Sequence, residues 1–472
     1  MGLVEPVPLA PAAEVGPVHF IAIGGAGMSG IARAYTDLGV TVSGSDRDDS
    51  PTLRHLAAAG IRTHVGHAAE QLGDARTVVV SSAIKPGNVE LAEAHRRGLR
   101  VWHRSAALGA LMLGRRGIAI TGTHGKTTTT GMVATMLTAV GADPGYVIGS
   151  PLAATGESAA LGTGEAFVVE ADESDGSFLQ YPARIVVITN IEVDHLDNWG
   201  TPEAYVDGFV RLGAGEAVEV VVMTADEDSS RRVADVLRGR GKRVVTYGEA
   251  EDADIRLTDL ELTPDTTAAT LDAEGDTGRL ALLVPGRFNL HNAAAAYAVG
   301  RALGFCGAEL RAALGTFAGT QRRFEAKGEV GGVRVYDDYA HHPTEVAAVL
   351  RAARPRVVEG GRLVACFQPH LFSRTRDFLD AFAASLTLAD VVVLVGIYPA
   401  REVAEDFPGV TSSLLAERVR SLGQEVTVVE QLPDVAPALA GLVRPGDLVL
   451  TIGAGSVTGV GAELVTLLGE RA

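Results

Sequence analysis

The chain has 472 residues, 47% hydrophobic and 21% charged, enough for about three domains that each bury a core. Its net charge of −17 and pI near 5.2 argue against nucleic acid or an anionic membrane as the main partner. No apolar run reaches the length of a membrane span, and two distant cysteines without metal spacing, Cys306 and Cys366, fit a reducing cytoplasm.

Met1 to Pro17 has neither a basic region nor a sustained apolar run, so it reads as a loose tail and not a signal peptide. A strand from His19 to Ile23 leads into Gly24-Gly25-Ala26-Gly27-Met28-Ser29-Gly30 and a helix to about Leu38. A second strand, Val40 to Ser43, ends near Asp46. Gly25, Gly27 and Gly30 form a G-x-G-x-x-G turn that lets a backbone approach a pyrophosphate, and Asp46 can take ribose hydroxyls. A tight turn without a ligand would have the same spacing. Strands follow at Thr77 to Val80 and Leu99 to Val101, with the loop Ser81 to Gly87 at a strand's carboxyl end, where such sheets bind ligands.

A second unit begins after Gly114-Arg115-Arg116-Gly117. The apolar strand to Ile120 runs into Thr121-Gly122-Thr123-His124-Gly125-Lys126-Thr127-Thr128. Backbone N–H groups and a helix N-terminus converge there on one spot, which suits a polyphosphate. Lys126 would reach the β- and γ-phosphates and the Thr127 hydroxyl would sit on Mg²⁺. Only Thr123 and His124 separate the two glycines, so this is a relative of the strict P-loop. Two strand ends can supply hard oxygen ligands beside it: Glu170-Ala171-Asp172-Glu173-Ser174-Asp175, and Glu192-Val193-Asp194-His195-Leu196-Asp197. Further strands are predicted at Ala166 to Glu170, Arg184 to Thr189, Val218 to Met223 and Arg243 to Tyr247. Asp254 to Val284 reads as a small antiparallel accessory sheet, and Asn289 to Leu303 as a helix.

The third unit alternates strands at Gly332 to Asp337, Arg362 to Phe367, Val391 to Val395, Glu425 to Val429 and Leu448 to Ile452 with helices at Pro343 to Ala353, Asp377 to Leu386 and Thr411 to Leu422. That pattern means another doubly wound parallel sheet. Asp338-Tyr339-Ala340-His341-His342-Pro343-Thr344-Glu345 follows one strand, though its last residues also make a good helix cap. Gln368-Pro369-His370-Leu371-Phe372-Ser373-Arg374-Thr375-Arg376 follows another, and its histidine and arginines can face an anionic substrate. Gly453-Ala454-Gly455-Ser456 is either an anion-binding turn or a plain one.

With these segments in this order, the chain resembles the Mur ligase family over Gly24 to Gly455. Glu170 to Asp175, Asp338 to Glu345 and Ile397-Tyr398-Pro399-Ala400-Arg401-Glu402 resemble its alanine-adding branch in particular. The resemblance implies an α/β protein of three domains: a Rossmann-like N-terminal domain (1–113), a P-loop-type central ATPase domain (114–318) and a C-terminal Rossmann-like α/β domain (319–472). It implies a cytoplasmic ATP-dependent ligase of peptidoglycan synthesis, a monomer or weak homodimer with no membrane insertion. The reaction would join L-alanine to the lactoyl carboxylate of UDP-N-acetylmuramate through an acyl phosphate, giving ADP and phosphate. A related ligase that adds a preformed peptide during wall recycling shares most motifs.

The resemblance also assigns residues. Gly25, Gly27 and Gly30, with Asp46, His67 and Ser82, would hold the UDP portion. Gly122, Thr123, His124, Gly125, Lys126, Thr127 and Thr128 would hold ATP, and Thr127, Glu170 and His195 its Mg²⁺. Asn289 and Asn292 would approach the adenine, Arg323 the phosphates and Asp338 the ATP ribose. Tyr339, His341 and Arg374 would bind L-alanine, with Lys126, Glu170, His195 and His341 serving catalysis. The family's later-acting members carry a carbamylated lysine in the central domain, whereas this chain has no lysine between Lys126 and Lys242. Leu371 stands where the family commonly has arginine, and Phe288 where it often has histidine. A nicotinamide-dependent dehydrogenase, suggested by the first glycine loop alone, does not account for the Lys126 loop. A non-catalytic nucleotide sensor does not account for intact Lys126, Glu170 and His195.

Overall fold

The computed structural model describes residues 2–471, and its strands form three sheets. The first holds β1 (Val18–Ile21), β2 (Val42–Asp46), β3 (Arg62–Val65), β4 (Thr77–Val80) and β5 (Arg100–His103) in the order β3-β2-β1-β4-β5. Every pairing in it is parallel. Residues of β1 are buried throughout, as expected of a central strand covered on both faces.

The second sheet has ten strands: β6 (Arg116–Thr121), β7 (Gly145–Val147), β8 (Ala159–Ala160), β9 (Ala166–Glu170), β10 (Ile185–Ile188), β11 (Val220–Thr224), β12 (Arg243–Gly248), β13 (Ile255–Leu262), β14 (Thr267–Ala273) and β15 (Asp276–Leu282). Their order is β15-β14-β13-β12-β11-β10-β6-β9-β7-β8. The stretch expected to make a separate accessory sheet instead extends this one, because β13 pairs in parallel with β12 at Tyr247 and Gly248. Strand β6 lies between β9 and β10, parallel to both. That order sets the carboxyl ends of three strands side by side: the phosphate loop after β6, the acidic segment after β9 and the histidine segment after β10.

The third sheet runs β16 (Glu325–Val330), β17 (Val333–Asp338), β21 (Leu448–Ile452), β18 (Leu363–Phe367), β19 (Val391–Val395) and β20 (Val426–Val429). It is parallel except for β16, which returns antiparallel on β17.

Packing divides the chain into two compact units. One holds the chain to Leu260 with Ala268–Leu282 and Leu290–Ala318; the other holds Glu261–Thr267, Leu283–Asn289 and the chain from Gly319. The first two sheets therefore belong to one unit, and a continuous set of buried residues runs from Phe20 and Ile31 to Phe167 and Val186. The segment before β1 is not the loose tail its composition suggested. Ala12 and Val15 are buried, and Thr77 Oγ1 donates to Val15 O at 2.6 Å. Val4 N donates to Asp175 O at 2.8 Å, and Val7 exchanges two hydrogen bonds with the Gln180 side chain. This strap binds the first sheet to the acidic segment of the second. Of the cysteines, Cys366 is buried in β18, where burial pushes its thiol up to about 12, while Cys306 is exposed. Among the described residues, no helix is long and apolar enough to cross a membrane.

Candidate active site

The phosphate loop closes β6 and opens the helix Lys126–Ala139. Gly122 has φ +123, and a Cβ there would run into Thr189 Oγ1, which itself donates to Thr121 O at 3.1 Å and His124 O at 2.6 Å. Gly125 has φ +80, and a Cβ there would lie 2.7 Å from Asn292 Oδ1. The predicted adenine-side Asn292 thus lies against the loop. Asn289, on the same helix Arg287–Ala302, donates to Pro285 O at 2.7 Å. A Gly122→Ala variant combines a strained backbone with overpacking, so we expect it to lose on the order of 3 kcal/mol of stability. Thermal unfolding checks this, and an unchanged midpoint would contradict it.

Lys126 turns back into the loop. Its ammonium donates to Gly122 O at 2.7 Å and Thr123 O at 3.0 Å and pairs with Glu173 Oε2 at 2.9 Å. Burial works against that charge, but Glu173 and Asp172 more than offset it and hold the lysine protonated. Glu173 is buried, and desolvation raises its carboxyl to about 7 despite Lys126. The His195 ring lies 3.6 Å from Glu173 Oε1 and 3.6 Å from Asp194. Thr127 Oγ1 donates to Glu170 Oε1 at 2.9 Å, and Gly149 N to Glu170 Oε2 at 2.7 Å. A hydroxyl and a carboxylate are therefore adjacent at the loop, a hard-oxygen pair of the kind Mg²⁺ takes. His124 Nε2 lies 2.8 Å from Glu192, the His124 backbone N–H donates to Asn190 Oδ1, and Thr123 Oγ1 donates to Glu192 O at 2.8 Å. Thr128 is half-buried in the helix's first turn.

Two residues the sequence did not single out hold this arrangement. Glu173 links Lys126 to His195, and its carbonyl accepts from Trp199 Nε1 at 2.9 Å. Trp199 sits in a set of edge-to-face rings with Phe178 and Tyr205, which fixes the acidic segment from behind. Arg104, at the start of the helix after β5, donates to Asp172 at 2.7 Å. A Cβ on Gly27 would come within 2.7 Å of the same guanidinium. Arg104 thereby spans the glycine loop of the first sheet and the acids of the second.

At the first sheet, Asp46 Oδ2 accepts from Gly24 N at 2.8 Å, and Gly66 N donates to Asp46 O at 2.7 Å. The glycine loop, Asp46 and the His67 segment thus meet at the strand ends. Gly30 lies beside Ala159, whose Cβ would be 3.3 Å from a side chain there. Ser82 Oγ donates to Asp175 Oδ2 at 2.5 Å and lies 3.1 Å from His103 Nε2. Burial, then Arg104, pushes His103 down to about 4, so it is neutral at physiological pH.

In the second unit, Asp338 is buried at the end of β17 and accepts from Phe324 N and Ala340 N, both at 2.8 Å. Burial raises its carboxyl to about 6, with Arg323 opposing. The guanidinium of Arg323 stacks over Tyr339 at 5.0 Å, and that of Arg322 at 4.6 Å. His341 lies edge-on to Tyr339 and to His370, and Arg374 Nη1 is 3.3 Å from His370 Nδ1. His370 thus stands between His341 and Arg374 and stacks on Tyr398. From sequence, His370 was expected only to face an anionic substrate, and Tyr398 was given no role of its own. Arg374 is 6% exposed in the short helix Phe372–Asp377, which Ser373 N ties to Glu402 at 3.0 Å. Leu371 is buried and caps that helix with φ +71. His342 caps Pro343–Ala353 in a capping box with Glu345. Gly453 O and Gly455 O accept from Arg322, so that turn serves as an anchor for the arginine.

Comparison with known proteins follows this order of sites along the chain. The Mur ligase family catalytic domain matches residues 17–116, the Mur ligase middle domain 120–300, and the Mur ligase glutamate ligase domain 322–455. The UDP-N-acetylmuramate–L-alanine ligase of Cutibacterium acnes is 61% identical over 473 residues, covering 100% of both chains. The chain belongs to the Mur ligase family. Among solved structures, the UDP-N-acetylmuramate–alanine ligase of Thermotoga maritima superposes on this Mur ligase with TM-score 0.82 at 28% identity, covering 96% of this chain and 99% of that one. A murein peptide ligase of Psychrobacter arcticus gives TM-score 0.73 at 26% identity, covering 96% and 98%.

Proposed function

We propose that this Mur ligase is an ATP-dependent amide ligase that joins L-alanine to the lactoyl carboxylate of UDP-N-acetylmuramate. The observation that carries this reading is end-to-end identity of 61% with an enzyme named for that reaction. The relatives favour it over the peptide-adding alternative.

The residues fit the chemistry. The Lys126 loop cradles the triphosphate of ATP, with Asn289 and Asn292 toward the adenine, Arg323 toward the phosphates and Asp338 toward the ribose. Thr127 and Glu170, already 2.9 Å apart, and His195 would hold Mg²⁺, which supplies charge neutralisation between the phosphates. The glycine loop, Asp46, His67 and Ser82 hold the UDP portion. The lactoyl carboxylate attacks the γ-phosphorus in line, and ADP leaves. Lys126 swings from its own loop carbonyls to the transferring phosphoryl group and stabilises its charge. The neutral amine of L-alanine, its carboxylate held by Arg374 and its amine by His341 and Tyr339, attacks the acyl carbon and phosphate leaves. Exclusion of water protects the acyl phosphate from hydrolysis.

Phosphate release measured with UDP-N-acetylmuramate, ATP and each amino acid in turn tests the assignment. L-Alanine is expected to give the fastest turnover, and release that needs a peptide instead would select the alternative. For the metal, Glu170→Ala and His195→Ala are each expected to raise the Mg²⁺ concentration for half-maximal activity by about 10-fold or more. An unchanged Mg²⁺ dependence in both would move the metal elsewhere.

A further inference from the structure

Beneath the first sheet's strand ends lies a buried polar network that the reaction scheme leaves unused. Glu90, in the first turn of the helix Val89–Arg96, is fully buried. Its Oε1 receives His19 Nε2 at 3.2 Å and, with the Gln71 amide turned so that its nitrogen faces the carboxylate, that nitrogen at 2.8 Å. Its Oε2 receives Ser45 Oγ at 2.6 Å and lies 2.8 Å from His67 Nδ1. His19 is also fully buried, and its Nδ1 lies 2.9 Å from Ser43 Oγ. A buried carboxylate with donors on both oxygens is a strong constraint on its partners, because an ionised carboxylate only accepts.

We propose that Glu90 is a positioning residue that keeps a proton on His67 Nδ1, so that Nε2 is the ring nitrogen left to accept from an N–H or O–H donor of the substrate's nucleoside. The argument is one of hydrogen-bond parity. Nδ1 faces a carboxylate oxygen, so the proton must reside on Nδ1. Burial alone would raise the Glu90 carboxyl, but His19, Ser45 and His67 together hold it below its ordinary value, so it is ionised at neutral pH. Ser45 Oγ also lies 2.9 Å from His67 Nδ1 while donating to Glu90, which closes a three-membered ring around that nitrogen. The His67 side chain is 23% exposed, and both Glu90 and Ser45 meet it at Nδ1. Gly66, just before it, is bonded to Asp46, so the ring stands beside the residue that closes the glycine loop. Uridine supplies three candidate donors for Nε2: the imide N3–H and the two ribose hydroxyls. The inference rests on the reading that UDP-N-acetylmuramate binds at this loop.

Glu90→Gln tests it. His19 and Gln71 hold the amide oxygen, so the amide nitrogen turns toward His67, which then has to accept at Nδ1 and carry its proton on Nε2. A donor then faces the substrate's donor. We expect KM for UDP-N-acetylmuramate to rise roughly 5- to 30-fold, with KM for ATP and L-alanine unchanged. In ¹⁵N-histidine-labelled enzyme, the His67 signal, assigned by its loss in His67→Gln, should show an unprotonated Nε2 in the wild type and a protonated one in Glu90→Gln. The wild-type spectrum stands even where the variant fails to fold, and a protonated Nε2 with an unprotonated Nδ1 there would overturn the proposal. Binding of UDP and its N3-methyl, 2′-deoxy and 3′-deoxy analogues identifies the donor: at least one should bind more weakly to the wild type but equally to His67→Ala. If all four bind alike, or Glu90→Gln leaves the substrate KM unchanged, the inference fails while the function stands. If the wild type binds neither UDP nor UDP-N-acetylmuramate, the functional reading fails with it.

Discussion

Lys126→Ala is expected to lower kcat by about 10²-fold or more, since a positioned cation at a transferring phosphoryl group supplies several kcal/mol to the transition state. The ammonium is already held in the loop that would receive the triphosphate, between two loop carbonyls and a buried carboxylate. Removing a buried partner charge ordinarily destabilises the fold by several kcal/mol. Here the remaining partner softens that loss. The Glu173 carboxyl sits at about 7 even with the lysine in place, so without it the group takes a proton and becomes neutral. The variant should therefore fold, bind UDP-N-acetylmuramate normally and fail in chemistry. Circular dichroism, substrate binding and single-turnover phosphate release separate these outcomes. Turnover within a few-fold of wild type in a folded variant would falsify the assignment of Lys126.

The second large effect is expected at Arg374. Leu371 is buried and its aliphatic side chain has no donor to offer a substrate carboxylate. Arg374 is held by the segment around Glu402 and sits next to His370, which in turn meets His341. Arg374→Ala should raise KM for L-alanine by roughly 10- to 150-fold, the range for losing a charged hydrogen-bond partner, and leave KM for ATP nearly unchanged. Arg374→Lys should fall between, because an ammonium keeps the charge but loses the fork that grips both carboxylate oxygens. Steady-state kinetics with L-alanine as the varied substrate decides the matter. An unaltered alanine KM in Arg374→Ala would place the amino acid elsewhere.

Strands buried on both faces were legible from sequence because apolar runs such as Ile185–Ile188 and Val391–Val395 allow little else. The edge strand Arg62–Val65 was not, since three of its four residues are polar and none is buried. The same holds for Glu325–Val330, which borrows its regularity from pairing with β17. Motif residues were legible where chemistry restricts spacing, as in the Lys126 loop. The role of Glu173 was hidden, because four carboxylates within six residues look alike until the fold turns one of them onto Lys126. Arg104 and Glu90 were invisible for a different reason. Each acts across a sequence separation of 68 and 71 residues, on Asp172 and His19 respectively, and nothing local marks them.

The strap before β1 also bears on how the chain is built. Val7 finds its partner Gln180 only 173 residues downstream, and Val4 bonds to Asp175 in the same region. During synthesis these two must wait for the whole of β6 to β9 to emerge before they can dock. Loop-closure entropy grows only slowly with length, so what delays docking is the absence of the partners themselves and not the size of the loop. The end of the strap at Val15 can settle on the first sheet as soon as Thr77 has emerged, whereas Val4 and Val7 have no partners until the chain beyond the phosphate loop is made.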